Sequence, residues 1–91
     1  METILYLKGE LSFNTVQQNL KVFRTEFDKK ETSDLVLDLK EVKQCDSAGL
    51  ALLIEARRAS KRLNKQLKIT NASKELYALA EFCGVEDVIN D

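Results

Sequence analysis

A carboxylate and a hydroxyl stand side by side in the middle of the chain, at Asp46 and Ser47. They follow an apolar run, residues 35–39, and a polar stretch, residues 40–45, and they precede a long segment with helical periodicity. We therefore predict that a strand leads into a short loop and that a helix begins at this pair. Asp46 suits the N-cap, because its carboxylate can accept hydrogen bonds from the first free backbone N–H groups. The Ser47 hydroxyl would lie at the positive end of the helix dipole, which makes it a candidate docking point or phosphate acceptor.

The other residue types argue against enzymatic and metal chemistry. The chain has no histidine, and Cys45 and Cys83 lack the spacing of metal ligands, so neither a zinc site nor a Cys–His nucleophile is expected. The Ser47 hydroxyl has no obvious base beside it. We therefore expect no enzyme activity, no metal and no cofactor. For both cysteines we expect buried, reduced thiols, as in a cytosolic protein.

Size and composition define the class of protein further. A chain of 91 residues suits one small domain, residues 1–91. The net charge of −1 provides no basic field for nucleic acid. No apolar stretch approaches the roughly 20 residues that span a bilayer, so direct membrane insertion is not expected. The first three residues do not begin a secretory signal, which favours a cytoplasmic location.

The hydrophobic pattern alternates strands and helices. Residues 3–8 and 34–39 read as strands, the first covered on both faces and the second central in the sheet. A helix capped by Asn14 follows the first strand, with Val16, Leu20, Phe23 and Phe27 on its apolar side. A third strand near residues 67–70 precedes a helix capped by Asn71 or Ser73. This order predicts an α/β sandwich with right-handed crossovers, in which a parallel or mixed sheet of three to four strands packs with three to four helices.

The second helix, residues 47–63, divides its apolar side chains into two sets. Leu52, Ala56, Ala59 and Leu63 form the expected sheet-facing stripe. Leu50 and Ile54 point away from that stripe, and they share their side of the helix with Ser47, Arg57, Arg58 and Lys61. One interpretation is that the two aliphatic residues pack on a neighbouring helix while the cations are merely solvated. We favour the other, in which the combined surface binds a partner protein.

Two short motifs carry a family resemblance. Asp46-Ser47-Ala48-Gly49-Leu50 resembles the Asp-Ser/Thr-x-Gly-Leu signature of STAS domains, and Gly9-Glu10-Leu11 resembles the entry to that family's first helix. The resemblance extends over nearly the whole chain and implies a STAS-like fold. It also implies a partner-binding site that includes these five signature residues. We expect Ile54, Arg57, Arg58 and Lys61 to extend that site along the second helix.

Two branches of the family imply different partners. Residues 48–53 and 77–82 are similar to MlaB-type subunits, which implies binding to the ATPase subunit of an ABC-type phospholipid transport system and a peripheral position at the inner membrane through that partner. Ser47 also matches the serine that a partner kinase phosphorylates in anti-sigma-factor antagonists. The alternative is therefore an antagonist whose partners are an anti-sigma factor and its kinase. We favour the first.

Overall fold

Strands and helices alternate along the chain, as predicted. The computed structural model describes residues 2–29 and 34–90, without the side chain of Asn90. The elements are β1 (Glu2–Leu11), α1 (Val16–Asp28), β2 (Asp34–Cys45), α2 (Ser47–Arg62), β3 (Gln66–Thr70), α3 (Lys74–Phe82) and α4 (Asp87–Asn90). The three strands are parallel and lie in the order β1-β2-β3, so the predicted α/β class and the central position of the second strand are confirmed.

The helices cover one face of the sheet. Both crossovers step in the same direction across the sheet, and right-handed connections that do so lie on the same side. Burial alternates accordingly: Leu35, Leu37 and Leu39 of β2 are buried, as are Leu67 and Ile69 of β3. Apolar side chains of all four helices complete the core over that face. Every strand therefore ends at the same edge of the sheet, where β1 leads to α1 and β2 leads to α2.

The opposite face of the sheet is open, and this corrects the prediction that the first strand is covered on both faces. Ile4 is 45% exposed and Tyr6 is 49% exposed, although both belong to the apolar run of β1. Exposure of alternate residues shows that none of the described helices packs on this side. The apolar run of residues 3–8 thus reflects one buried face and one solvent-facing patch.

The polar stretch of residues 40–45 is strand and not the predicted loop. It pairs with the last residues of β1, and two register shifts between the strands accommodate the change in pattern. Its polar composition reflects exposure at the end of the sheet. The consequence is that β2 delivers the chain directly to Asp46, with no intervening flexible segment.

The helix ends agree with the sequence only in part. Asn14 does not cap α1; the N-cap is Thr15, which makes no side-chain capping bond. Ser73 does cap α3, with its hydroxyl accepting from the Leu76 N–H at 3.1 Å. Asn14 instead lies in the turn before α1, where its side-chain amide donates to the Glu10 carboxylate. A local side-chain contact has therefore replaced the expected cap.

Candidate functional site

Asp46 holds the start of α2 against the loop that follows β1. Its Oδ1 atom accepts from the backbone N–H groups of Ala48 at 2.9 Å and Gly49 at 3.1 Å, which is the predicted N-cap. Its Oδ2 atom accepts from the Phe13 N–H at 3.3 Å. These bonds, led by that from Gly49, lower the pKa of the Asp46 carboxyl below its ordinary value of 3.8. One ionised side chain thus fixes two chain segments relative to each other.

The two motifs that resemble the family signature contact each other directly. The Asp46 N–H donates to the Leu11 carbonyl at 3.2 Å. At Gly49, a Cβ atom would lie 2.0 Å from the same carbonyl oxygen, so only glycine permits this approach of α2 to β1. Gly9 adopts a φ of 72°, and the Glu10 carboxylate accepts from the Ser12 hydroxyl at 2.5 Å in the turn that follows. The motifs therefore build one compact junction at the carboxyl edge of the sheet.

Ser47 is exposed at this junction. It is the first residue of α2, directly after the cap, and the exposed Ala51 lies one helical turn further on. Phe13, whose N–H bonds Asp46, is 78% exposed and adds a large apolar side chain to the same region. Sequence reasoning missed Phe13, although an aromatic residue in a polar turn was a usable signal. Arg58 and Lys61 continue the exposed side of α2 away from Ser47.

The prediction that Leu50 is exposed is wrong. Leu50 is only 2% exposed and belongs to the core, and Ile54 is half-buried against it. Arg57 is also buried, and its guanidinium donates to the Leu67 carbonyl at 2.5 Å and the Val88 carbonyl at 2.7 Å. The Arg57 hydrogen bonds show the physical reason: β3 and α4 lie on the side of α2 that was predicted to be open to solvent, and α3 also contacts α2. The packing alternative for Leu50 was the correct one.

The cysteines do not provide a reactive thiol at the site. Cys45 is half-buried beside Asp46, and burial, together with the Asp46 charge, raises the pKa of its thiol to about 11. The thiol therefore stays protonated and weakly nucleophilic. Cys83, the C-cap residue of α3, is exposed, which corrects the expectation that both thiols are buried.

A cleft of about 500 Å³ opens next to Asp46 at the carboxyl edge of the sheet. Its lining includes the apolar residues Leu39, Val42 and Leu76. The charged residues Glu10, Lys43 and Glu75 also line it.

The carboxylate next to Ser47 has a structural role. Around the Ser47 hydroxyl the described contacts include no general base, and the Asp46 carboxylate is committed to backbone N–H groups. Across residues 2–29 and 34–90, no three Cys, Asp or Glu side chains are grouped so as to hold a metal ion. Over the same residues, no helix is both long and apolar enough to cross a bilayer.

Comparison with known proteins places these features in a family. The family model described as "STAS domain" matches residues 2–90. The chain is 32% identical over 90 residues to the intermembrane phospholipid transport system binding protein MlaB of Haemophilus influenzae, covering 93% of this chain and 83% of that protein. It is 30% identical over 88 residues to the anti-sigma-B factor antagonist of Listeria monocytogenes, covering 93% of this chain and 74% of the relative.

Solved structures show the same fold at lower sequence identity. A sulfate transporter family protein from Wolinella succinogenes superposes with a TM-score of 0.78 at 20% identity, covering 97% of this chain and 70% of that one. The anti-sigma factor antagonist SpoIIAA in its unphosphorylated form also gives 0.78, at 18% identity, covering 97% of this chain and 76% of its own. The fold is therefore shared well beyond the relatives that are similar in sequence.

Proposed function

Because the chain belongs to the STAS domain family, we propose that it is a non-catalytic subunit that binds the ATPase of an ABC-type phospholipid transport system. The observation that carries the proposal is the exposed Ser47 on a turn that Asp46 holds rigid through three backbone N–H groups. A preformed turn loses little conformational freedom on binding, which favours a docking role. The MlaB relative, named as a binding protein of a phospholipid transport system, supports this choice of partner.

The proposed docking surface has an apolar centre and a cationic flank. We define the Ser47 surface as Ser47, Ala48 and Ala51 of α2 together with Phe13, Arg58 and Lys61. Phe13 supplies the aromatic anchor that protein interfaces favour, and the small side chains of α2 allow close approach of a partner backbone. The two cations suit an acidic flank on the ATPase. Leu50 and Arg57 support this surface from the core and do not belong to it.

A binding experiment with the ATPase subunit from the same genome tests this assignment. Ser47→Asp places a charge in the centre of the surface, and Phe13→Ala removes the anchor; each should reduce co-purification by at least about tenfold. Thr25→Asp, exposed on α1 away from the junction, adds the same charge as the first variant and should bind normally. Circular dichroism and urea unfolding check that all three proteins are folded. Full binding by both surface variants would contradict the proposal.

A second candidate function is an anti-sigma-factor antagonist switched by phosphorylation of Ser47. The exposed hydroxyl at the first position of α2 favours it, because a kinase can reach this group and the helix dipole tolerates the added charge. The phosphate would then act through the partner, because a partner surface that cannot accept close to two negative charges would no longer bind. The relative named anti-sigma-B factor antagonist supports this candidate as strongly as the MlaB relative supports the first.

The two candidates differ in what they predict for the unmodified protein. An antagonist should bind an anti-sigma factor, lose that binding when a kinase and ATP add one phosphate, and resist the kinase as Ser47→Ala. A transporter subunit should bind the ATPase whether or not any kinase is present. Intact mass spectrometry after incubation with the kinase, followed by binding to both partners in parallel, therefore distinguishes them. Binding to the ATPase alone would exclude the antagonist role, and binding to the anti-sigma factor alone would exclude the transporter role.

A further inference from the structure

The turn that joins β1 to α1 has all four of its backbone N–H groups hydrogen bonded. The Ser12 N–H donates to the Thr15 hydroxyl at 3.1 Å, and the Asn14 N–H donates to the Ser12 hydroxyl at 3.2 Å. The Phe13 N–H donates to the Asp46 carboxylate at 3.3 Å. The Thr15 N–H donates to the Ser12 carbonyl at 3.0 Å. Side chains accept three of these four bonds, so the conformation of the turn depends on the identity of the residues that supply them.

Glu10 accepts the hydrogen bonds that orient the side chains of this turn. Its Oε1 atom accepts from the Ser12 hydroxyl at 2.5 Å and from the Asn14 side-chain amide at 3.1 Å, and its carbonyl accepts from the Thr15 hydroxyl at 2.8 Å. A hydroxyl has a single hydrogen, so donation to Glu10 leaves the Ser12 oxygen free to accept from the Asn14 N–H. Ser12 is only 6% exposed, so water cannot readily replace Glu10 as the acceptor.

This fully hydrogen-bonded turn carries a large apolar side chain in water. Phe13 is 78% exposed, although its own N–H and those of both its neighbours are held in place. A phenyl ring left in water contributes little burial to the fold. Aromatic side chains that fill a pocket of a partner dominate many protein interfaces, and a rigid backbone lowers the entropy lost on binding. The combination is typical of an anchor residue that is ordered before its partner arrives.

We propose that Glu10 is a positioning residue for docking through Phe13. Its carboxylate orients the Ser12 hydroxyl, and this relay keeps the turn in the one conformation that presents the phenyl ring to an apolar pocket of the partner. Asp46 fixes the turn from the α2 side, and Glu10 fixes it from the β1 side. The role of Glu10 in binding rests on the proposed docking function of the Ser47 surface, to which Phe13 belongs.

A measurement on the free chain tests the positioning step without any partner. Steady-state {1H}–15N nuclear Overhauser effects report picosecond to nanosecond motion of each amide. We expect values for Phe13 and Asn14 as high as those of β2 in the unchanged protein, and clearly lower values in Glu10→Ala and Ser12→Ala. Glu10→Gln keeps an oxygen that can accept both side-chain bonds and should retain the high values. Glu81→Ala removes an exposed carboxylate from α3, and as the matched control it should change nothing.

A double-mutant cycle with the ATPase subunit from the same genome tests the binding step. By calorimetric titration, Phe13→Ala should raise the dissociation constant at least about tenfold, and Glu10→Ala about fivefold. If Glu10 acts through Phe13, the double variant Glu10→Ala/Phe13→Ala should bind within about twofold of Phe13→Ala, whereas independent effects would multiply to about fiftyfold. Glu10→Gln should recover binding to within about twofold of the unchanged protein, and Glu81→Ala should bind normally.

Three results would overturn the positioning role while leaving the proposed function intact. They are unchanged amide order in Glu10→Ala, full binding by Phe13→Ala, and a double variant whose effect is the product of the single ones. If the unchanged chain does not bind the ATPase at all, the proposed function fails and the role of Glu10 in binding fails with it, so the two failures are distinguishable. Circular dichroism and urea unfolding check each fold, and Ser12→Ala breaks the same relay if Glu10→Ala does not fold.

Discussion

Asp46 was predictable as a helix cap, but its second role was not. Sequence spacing indicated that its carboxylate would accept from the first turn of α2, and it does. The bond from Phe13, 33 positions earlier in the chain, depends on how β1 and β2 end side by side. Local capping preferences act over three or four residues, whereas this contact arises from tertiary structure, so no local pattern could reveal it.

Two substitutions of Asp46 distinguish the contribution of its capping hydrogen bonds from the contribution of its charge. Asp46→Ala removes all three acceptor contacts and should lower the urea midpoint clearly, whereas Asp46→Asn keeps a capping oxygen and should lower it less. The hydrogen bonds from Gly49, Phe13 and Ala48 lower the pKa of Asp46 in the folded state, so its charge contributes fully above the ordinary value of 3.8. That contribution is lost as pH falls from there through the folded-state pKa. The difference in midpoint between Asp46→Asn and the unchanged protein should therefore shrink below pH 3.8, and a constant difference would contradict this account.

Replacing Gly49 by alanine tests the close contact between α2 and β1, because the sign of the stability change depends on that contact. In an exposed helix, replacing glycine by alanine stabilises by about 1 kcal/mol. Here the new Cβ atom would lie 2.0 Å from the Leu11 carbonyl oxygen and 2.9 Å from the Cys45 sulfur, so backbone must move. We expect Gly49→Ala to lower the free energy of unfolding by about 2–3 kcal/mol, the cost typical of overpacking. Urea unfolding measures it, and a gain in stability would show that α2 and β1 are not in close contact.

Helix α2 shows why an element's bounds are easier to predict than its surroundings. Residues 47–63 were predicted and Ser47–Arg62 is observed, because cap and periodicity are local properties. The buried part of the α2 surface is wider than predicted. A single amphipathic stripe describes a helix with one neighbour, but α2 contacts α1, α3, α4 and the sheet. Arg57 is buried where α2 meets β3 and α4, and the position of α4 depends on the path of the chain after β3.

Arg57 is the polar link between α2, β3 and α4. Its guanidinium donates to the Leu67 and Val88 carbonyls in two directions from the planar fork. We expect Arg57→Met to lower the free energy of unfolding by about 3 kcal/mol, since one buried and one partly buried carbonyl lose a charged donor. Lysine cannot reproduce the fork, so Arg57→Lys should recover little of this loss. Urea unfolding measures both variants, and Arg58→Met, exposed at the adjacent position, should change stability by less than about 0.5 kcal/mol.

Across residues 2–29 and 34–90, the helices cover only one face of the sheet, and this was the largest departure from the sequence prediction. The alternation of elements correctly indicated parallel strands, but parallel sheets generally have helices on both faces. With three strands added in one direction, both crossovers fall on the same face. The apolar residues Ile4 and Tyr6 then remain exposed, and their appearance in a continuous apolar run was misleading.

Helix α1 is held at both ends by residues that flank α2, and this predicts how the molecule loosens. Asp46, before α2, accepts from Phe13 just ahead of α1; Lys65, after α2, donates from Nζ to the carbonyls of Phe27 and, at 2.8 Å, Lys29. Because Lys65 supplies the charged donor for the last turn of α1, Lys65→Met should lower the free energy of unfolding by about 1–2 kcal/mol.

Lys65→Met should also increase local opening at the end of α1 before it promotes unfolding of the whole domain. Amide hydrogen exchange should accelerate over the last turn of α1, while the amides of β2 keep their protection, since the core contacts of Phe23 anchor the rest of the helix. Lys61→Met, which removes an exposed ammonium one turn earlier, should change neither stability nor exchange. If amide exchange accelerated equally along all of α1, the helix would open as one unit. The contacts that Asp46 and Lys65 make with the two ends of α1 would then be coupled.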